Sequence, residues 1–196
     1  MQVLKEEMRK RIYEAALKEF SEKGFMHASM RDIAKGAGMT VGNLYRYFKD
    51  KETLFYNVTG PAYSRLTELV KECLKLVEYR FDTSFFEFLS EQILKICKAH
   101  KIELLILFEG SRGTVYEKSK EEMASVVENF LMGMPLTKLK AKGVTIEDTY
   151  IFRLISLEFV DGMIRIAKRF EDVEKLKRVA SQYINFYFKD ILKRFE

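Results

Sequence analysis

Two short segments stand back to back in this chain, SMRDIAKGAGM over residues 29–39 and TVGNLYRYFKDK over residues 40–51. No other feature restricts the fold so sharply. In the first, Met30, Ile33, Ala34 and Ala37 recur at helical spacing and form an inner face. Ser29 is placed to cap that helix, with Asp32 three residues on facing back toward it. Gly38 supplies the left-handed residue that ends it, and Thr40 caps the next. In the second segment Val41, Leu44 and Phe48 fall on one side, at i, i+3 and i+7. The far side carries Gly42, Asn43 and Arg46, flanked by Tyr45 and Tyr47. Two short helices across a tight glycine turn make a helix-turn-helix, whose second member enters the major groove of DNA. An ordinary helical hairpin has the same spacing, so the chemistry of the outer face matters. Asparagine and arginine can pair with adenine and guanine edges, and tyrosine hydroxyls reach phosphates.

These residues also carry a resemblance. Phe20, Gly24-Phe25, Ser29-Met30, Asp32-Ile33-Ala34, Ala37-Gly38, Gly42, Leu44-Tyr45, Tyr47-Phe48, Lys51-Glu52 and Leu54 are similar to the N-terminal signature of TetR/AcrR-type regulators, continuously over residues 10–56. Beyond residue 56 only length and helical pattern agree. The resemblance implies an all-α, homodimeric DNA-binding regulator, usually a repressor released by a small molecule. It implies a three-helix DNA-binding head over residues 1–50 and a helical-bundle domain for ligand binding and dimerisation over residues 51–196, about nine helices in all. The candidate DNA-binding residues are Arg31, Thr40, Val41, Gly42, Asn43, Tyr45, Arg46, Tyr47 and Lys51. Asn43 and Arg46 are expected to read bases. Lys51, in the first turn of a helix capped by Asp50, is expected to clamp a phosphate.

Charge supports a polyanion partner without requiring one. Residues 1–51 hold 11 Lys/Arg against 7 Asp/Glu, a net of +4, so the other 145 residues supply only +1 of the total +5. A solvated charged surface would show as much. Only 2 prolines and 10 glycines interrupt a chain of 196 residues rich in Lys, Glu, Leu and Ile, which favours helices. There is no signal peptide and no apolar run long enough to span a bilayer, so a cytoplasmic protein without a membrane partner is expected. Cys73 and Cys97 lie among apolar residues, and His27 and His100 are the only histidines, which argues for free thiols and against a metal site. No cofactor is implied.

Taken in order, a first helix runs from Lys5 to Phe20 with Met8, Ile12, Ala15, Ala16 and Phe20 on its inner stripe, and Gly24 ends it. Arg9, Lys10 and Arg11, near its start, can reach a phosphate backbone or stand in solvent. From Asp50 a long helix extends to about Val77. Gly60-Pro61 interrupts it, and a kink or break is expected there because proline lacks an amide proton and clashes with the preceding turn. Such a break can serve as a hinge or be passive. An apolar helix follows from Thr83 to about Ala99, and another over residues 102–109. The sequence GSRGT, residues 110–114, has neither a preceding strand nor a GK[ST] and reads as a connection. Ser119 with Glu122 forms a capping box for the next helix. Pro135 and Gly143 mark a break, and Thr145 with Asp148 caps a helix reaching about Lys168. Asp172 caps the last.

The apolar surplus in the body has two readings. Phe86, Leu89, Ile93, Phe108, Met123, Phe130, Phe152, Phe159 and Met163, with Glu109, can line a cavity for a small effector, or the apolar ones can fill a core. Arg153, Glu158 and Asp161 must reach solvent, pair, or meet a ligand. The last two helices carry more apolar surface than one core absorbs, which points to a second copy. Tyr150, Leu154, Leu157, Tyr183, Tyr187 and Ile191 are the candidate interface, and the resemblance implies a four-helix contact there. An all-helical enzyme or a ligand-binding protein without DNA is the competing class. An enzyme would need a nucleophile–base pair, a carboxylate–histidine cluster or a metal site, and none has interpretable spacing.

Overall fold

The computed structural model describes residues 2–77 and 83–195. The described residues form nine α-helices and a 3-10 turn, with no strand. In order these are α1 (Gln2–His27), α2 (Met30–Gly36), α3 (Val41–Tyr47), α4 (Lys51–Val77) and α5 (Thr83–Glu109). Then come α6 (Ser119–Met132), α7 (Met134–Ala141), α8 (Tyr150–Arg169), α9 (Val173–Phe188) and the 3-10 turn Ile191–Arg194. The chain divides into two compact units, Met1–Arg65 with His100–Glu117, and Leu66–Ala99 with Lys118–Glu196.

The first unit closes around Ile12, Ala16 and Phe20 of α1, Ile33 and Ala34 of α2, Leu44 of α3, and Leu54, Phe55 and Val58 of α4. Ile106 from the end of α5 joins the same core. Phe55 lies edge-on to both Phe20 and Phe25, each with ring centroids 5.1 Å apart, an arrangement that suits the ring quadrupoles. Gly24 stops the regular turns of α1 at φ 67°, where a side chain would be strained. There the Phe25 amide donates to the Gly110 carbonyl at 2.7 Å. A Cβ on Gly24 would stand 3.3 Å from that oxygen, so glycine is what lets the two backbones approach. Tyr13 donates to the buried Glu103 carboxylate at 2.5 Å, tying α1 to α5 a second time.

In the second unit α6 and α9 both pack on α8, and α7 packs on α6 and the 3-10 turn. Aromatic rings fill the middle. Phe130 stacks on Phe85 at 5.7 Å, Phe188 stacks on Phe86 at 5.8 Å, and Phe159 meets Phe188 edge-on at 4.7 Å. Of the charged residues noted on α8, Arg153 and Asp161 are paired and Glu158 is exposed. Arg153 donates to Glu128 at 3.2 Å and to Ser125 at 3.0 Å. Asp161 accepts from Lys120 and from Arg165, which hold its carboxyl below the usual range.

Several expectations from local pattern are corrected. Helix α4 runs continuously through Pro61, so of the kink or break expected at Gly60-Pro61 the break does not form. The two helices expected over residues 83–109 are present: α5 is two helical segments joined at a kink, with His100 outside helical geometry (φ −139°, ψ 31°). Helix α6 has Lys118 at its N-cap with no side-chain cap, and Ser119 is buried, so the Ser119–Glu122 box is absent. Helix α8 starts at Tyr150, whose amide donates to Asp148 Oδ1 at 2.8 Å, and Thr145 lies outside it. Helix α7 falls where a break was read; it opens with a proline in its first turn, which needs no amide partner there. Thr40, Asp50 and Asp172 cap α3, α4 and α9 as the sequence indicates, accepting from Asn43, Thr53 and Lys175 amides at 3.2, 2.7 and 2.6 Å.

Candidate nucleic-acid interface

Helix α2 begins at Ser29, whose hydroxyl accepts from the amides of Arg31 and Asp32 at 3.2 and 3.4 Å. The reciprocal contact expected from Asp32 comes from α1 instead. Glu19, almost wholly buried, accepts the Ser29 amide at 3.0 Å and the Lys23 ammonium at 2.8 Å. Asp32 is left to pair with Lys23 at 3.0 Å. The one sequence signal for Glu19 is an acid set between Ala16 and Phe20 on the inner stripe of α1. Helix α2 then ends as the glycine suggests. Gly38 sits at φ 70°, its amide reaches Lys35 O, and the Met39 amide reaches Ala34 O at 2.9 Å. This doubly bonded turn satisfies the last carbonyls and aims the chain into α3.

Helix α3 buries Leu44 completely and exposes Gly42, Asn43, Tyr45 and Arg46. Val41 and Tyr47 are half-buried against the core, Arg31 of α2 is exposed, and Thr40 spends its hydroxyl on the cap. A Cβ on Gly42 would meet nothing within 4 Å, so nothing inside the molecule calls for glycine there. Lys51 departs from the expected phosphate clamp. Its ammonium donates to the carbonyls of Phe25 at 2.7 Å, Ala28 at 3.0 Å and Met26 at 3.3 Å, and it lies 4.6 Å from the Phe25 ring centroid. An ammonium has three protons, and all three are used inside the head.

The other candidate sets are placed as follows. Phe86, Phe152 and Phe159 are buried in the second unit, where Leu89, Ile93, Met123, Phe130 and Met163 are half-buried. Phe108, half-buried, and Glu109, exposed, belong to the first unit. On α8, Tyr150 and Leu154 are exposed and Leu157 is half-buried. Tyr183 donates from its hydroxyl to Glu158 O at 2.8 Å, lies over Gly162 and stacks on Phe159, and Tyr187 joins the same ring cluster. Burial pushes the Tyr183 hydroxyl well above the ordinary phenol range. Ile191 is corrected outright: α9 ends at Phe188, Asp190 turns the chain at φ 54°, and Ile191 is buried in its own subunit.

Two short capped helices on one core, the second showing glycine, amide, phenol and guanidinium to solvent, define a helix-turn-helix protein. Residues 12–58 match the family profile described as bacterial regulatory proteins, tetR family. An uncharacterized HTH-type transcriptional regulator of Bacillus subtilis, YdgC, is 40% identical over 68 residues, covering 35% of this chain and 35% of that protein. The HTH-type regulator AcrR of Shigella flexneri is 40% identical over 67 residues, covering 34% and 31%. The chain thus aligns with about a third of the length of these curated relatives. Over nearly the whole chain the fold is shared with solved TetR-family structures. PfmR of Thermus thermophilus superposes at a TM-score of 0.60 and 21% identity, covering 92% of this chain and 95% of that one. FadR of Thermus thermophilus, a TetR-family repressor solved with lauroyl-CoA, gives 0.52 and 20% identity, covering 91% and 92%. The chain resembles TetR/AcrR-type transcriptional regulators, by sequence in its head and by fold along its length.

Proposed function

We propose that this protein is a ligand-responsive transcriptional repressor that binds a near-palindromic operator as a homodimer and leaves it when a small, largely apolar effector binds. The observation that carries the reading is α3 itself. Leu44 is wholly buried while Gly42, Asn43, Tyr45 and Arg46 face solvent, on a helix fixed at its start by the Thr40 cap. A helix so anchored presents a rigid polar face of the size a major groove admits. We assign DNA binding to residues 1–50, with Arg31 and the exposed residues of α3 as contacts, and effector binding and pairing to residues 51–196. The aromatic interior of the second unit supports an apolar effector, as does the acyl-CoA ligand of the Thermus thermophilus FadR. The exposed apolar residues of α8 and α9 support pairing. Among the described residues no helix is long and apolar enough to cross a membrane. The proposed action on DNA calls for a cytoplasmic protein. It acts by binding rather than turnover. Selection of duplexes from a random pool is the test. Enrichment of one inverted-repeat sequence is expected, and a pool that stays random after repeated rounds sinks the reading.

A further inference from the structure

The basic surface of the head extends from α3 onto the start of α1. A cleft of about 590 Å³ opens between the start of α1 and the α2–α3 turn. Lys5 and Arg9 line its α1 side, and Thr40, Asn43, Arg46 and Tyr47 line the other. It has three cations and no carboxylate among its lining residues. Among the described residues none of the three cations is ion-paired, whereas neighbouring Lys10 lies 4.0 Å from Glu14. A recess lined by one sign of charge concentrates the field and draws in the opposite sign. The neutral groups fit the same ligand, since hydroxyls and amides commonly complete phosphate contacts. Thr40, Asn43, Arg46 and Tyr47 recur at helical spacing and form one side of α3. A duplex that takes α3 into its major groove must pass a strand backbone along a side of that helix.

We propose that the cleft receives the sugar–phosphate backbone of the strand bordering that groove, with Lys5, Arg9 and Arg46 each neutralising a phosphate. The start of α1 is then part of the interface, and Arg46 holds the backbone where the sequence suggested a base contact. The proposal rests on the DNA-binding reading above.

The test uses the full chain, a duplex enriched from the random pool, and a scrambled duplex, titrated over a salt series. Each lost phosphate contact should flatten the slope of log K against log salt by about 0.9. Lys5→Ala with Arg9→Ala removes two contacts from each subunit of the dimer and should therefore reduce the slope by about 3.6, equivalent to roughly 4,000-fold weaker binding at 0.1 M salt for affinities that converge at 1 M. Arg46→Ala, lost from both subunits, should reduce it by about 1.8. In both variants the ratio between enriched and scrambled duplex should stay at the wild-type value. Lys5→Arg with Arg9→Lys, which keeps the charge, should restore the slope. An unchanged slope in the alanine pair, in a protein with wild-type helicity and melting temperature, overturns the proposal. So does a collapse of the duplex ratio in Arg46→Ala, which returns Arg46 to a base edge. Tight calorimetric binding of inorganic pyrophosphate without DNA, lost in the alanine pair, would instead make the cleft a small-anion site. Wild-type protein that enriches no duplex removes the DNA reading itself, an outcome distinct from all of these.

Discussion

An ammonium group binds where its protons are satisfied, and at Lys51 three carbonyls of the α1 terminus take them, at 2.7, 3.0 and 3.3 Å. The residue type and its place in the first turn of α4 suggested phosphate. What the sequence could not supply was the nearness of Phe25, Met26 and Ala28, some 25 positions earlier. Lys51→Met should lower stability by about 1–3 kcal/mol, the usual range for losing charge-assisted bonds to part-buried acceptors, as read by urea unfolding. The salt slope of DNA binding should not move; a slope flatter by about 1.8, one phosphate for each subunit of the dimer, would restore Lys51 as a phosphate contact. Gly42 offers the opposite separation. With open space around a Cβ there, Gly42→Ala meets no clash and should raise stability by about 0.8–1 kcal/mol through helix propensity. The same substitution should weaken DNA binding if glycine is there for close approach. A variant both more stable and equally tight would mean that the groove never comes near that position. Cys73 is a free thiol whose pKa burial pushes up to about 11. The thiolate is the reactive form, so at pH 8 Cys73 should alkylate far more slowly than an exposed cysteine and gain rate as pH rises toward 11.

Helix ends were legible where donor and acceptor lie within three residues of each other, and illegible where the partner comes from another element. Thr40, Asp50 and Asp172 could be read because each accepts an amide three positions on. The start of α2 is the instructive exception: Ser29 caps it as read, but the carboxylate on the Ser29 amide belongs to Glu19 of α1. Ser119 followed by Glu122 has the same local pattern and forms no cap, because Ser119 already lies inside the helix, one position past the cap that a box requires, and turns inward. Pro61 shows the limit of propensity, since α4 continues through it with Ala62, Val58 and Leu69 buried on one side. Tertiary packing outweighs a single missing hydrogen bond there. At the α1–α2 joint, Glu19→Ala should cost about 1–3 kcal/mol, because it strips the partner from a part-buried amide. Asp32→Ala, at an exposed pair, should stay within about 0.5 kcal/mol. Equal losses in thermal or urea unfolding would mean that the box expected from sequence, not the α1 carboxylate, holds the start of α2.

At the scale of the whole molecule, helical periodicity separates inner from outer faces but cannot distinguish a filled core from a lined cavity, nor an own-chain contact from one with a second copy. Phe86, Phe130 and Phe159 met the criteria for an effector site, and they pack with Phe188 in one ring cluster. Tyr183 and Tyr187 met the criteria for an interface on the same apolar pattern. Yet Tyr183 is committed within the subunit, through the Glu158 carbonyl at 2.8 Å and the ring of Phe159 at 5.7 Å. Charge placed at Tyr183 would separate α9 from α8 and confuse unfolding with loss of assembly. The residues suited to testing the proposed dimer are those the subunit leaves uncovered. Leu154 on α8 is 44% exposed and Phe186 on α9 is 68% exposed, joined on α8 by Tyr150 at 59%. Phe186 has only the Arg194 guanidinium, 5.2 Å from its centroid, and Tyr187 as ring neighbours among the described residues. Leu154→Glu with Phe186→Glu adds four carboxylates across a two-fold interface and removes its apolar contacts, while leaving the α8–α9 packing of each subunit intact. The double variant should therefore keep wild-type helicity and sediment as a monomer. Its affinity should fall steeply for an operator whose half-sites lie about 34–36 Å apart, and much less for a single half-site. A tight dimer in that variant would move the pairing surface off α8 and α9, and with it the geometry that sets the half-site spacing.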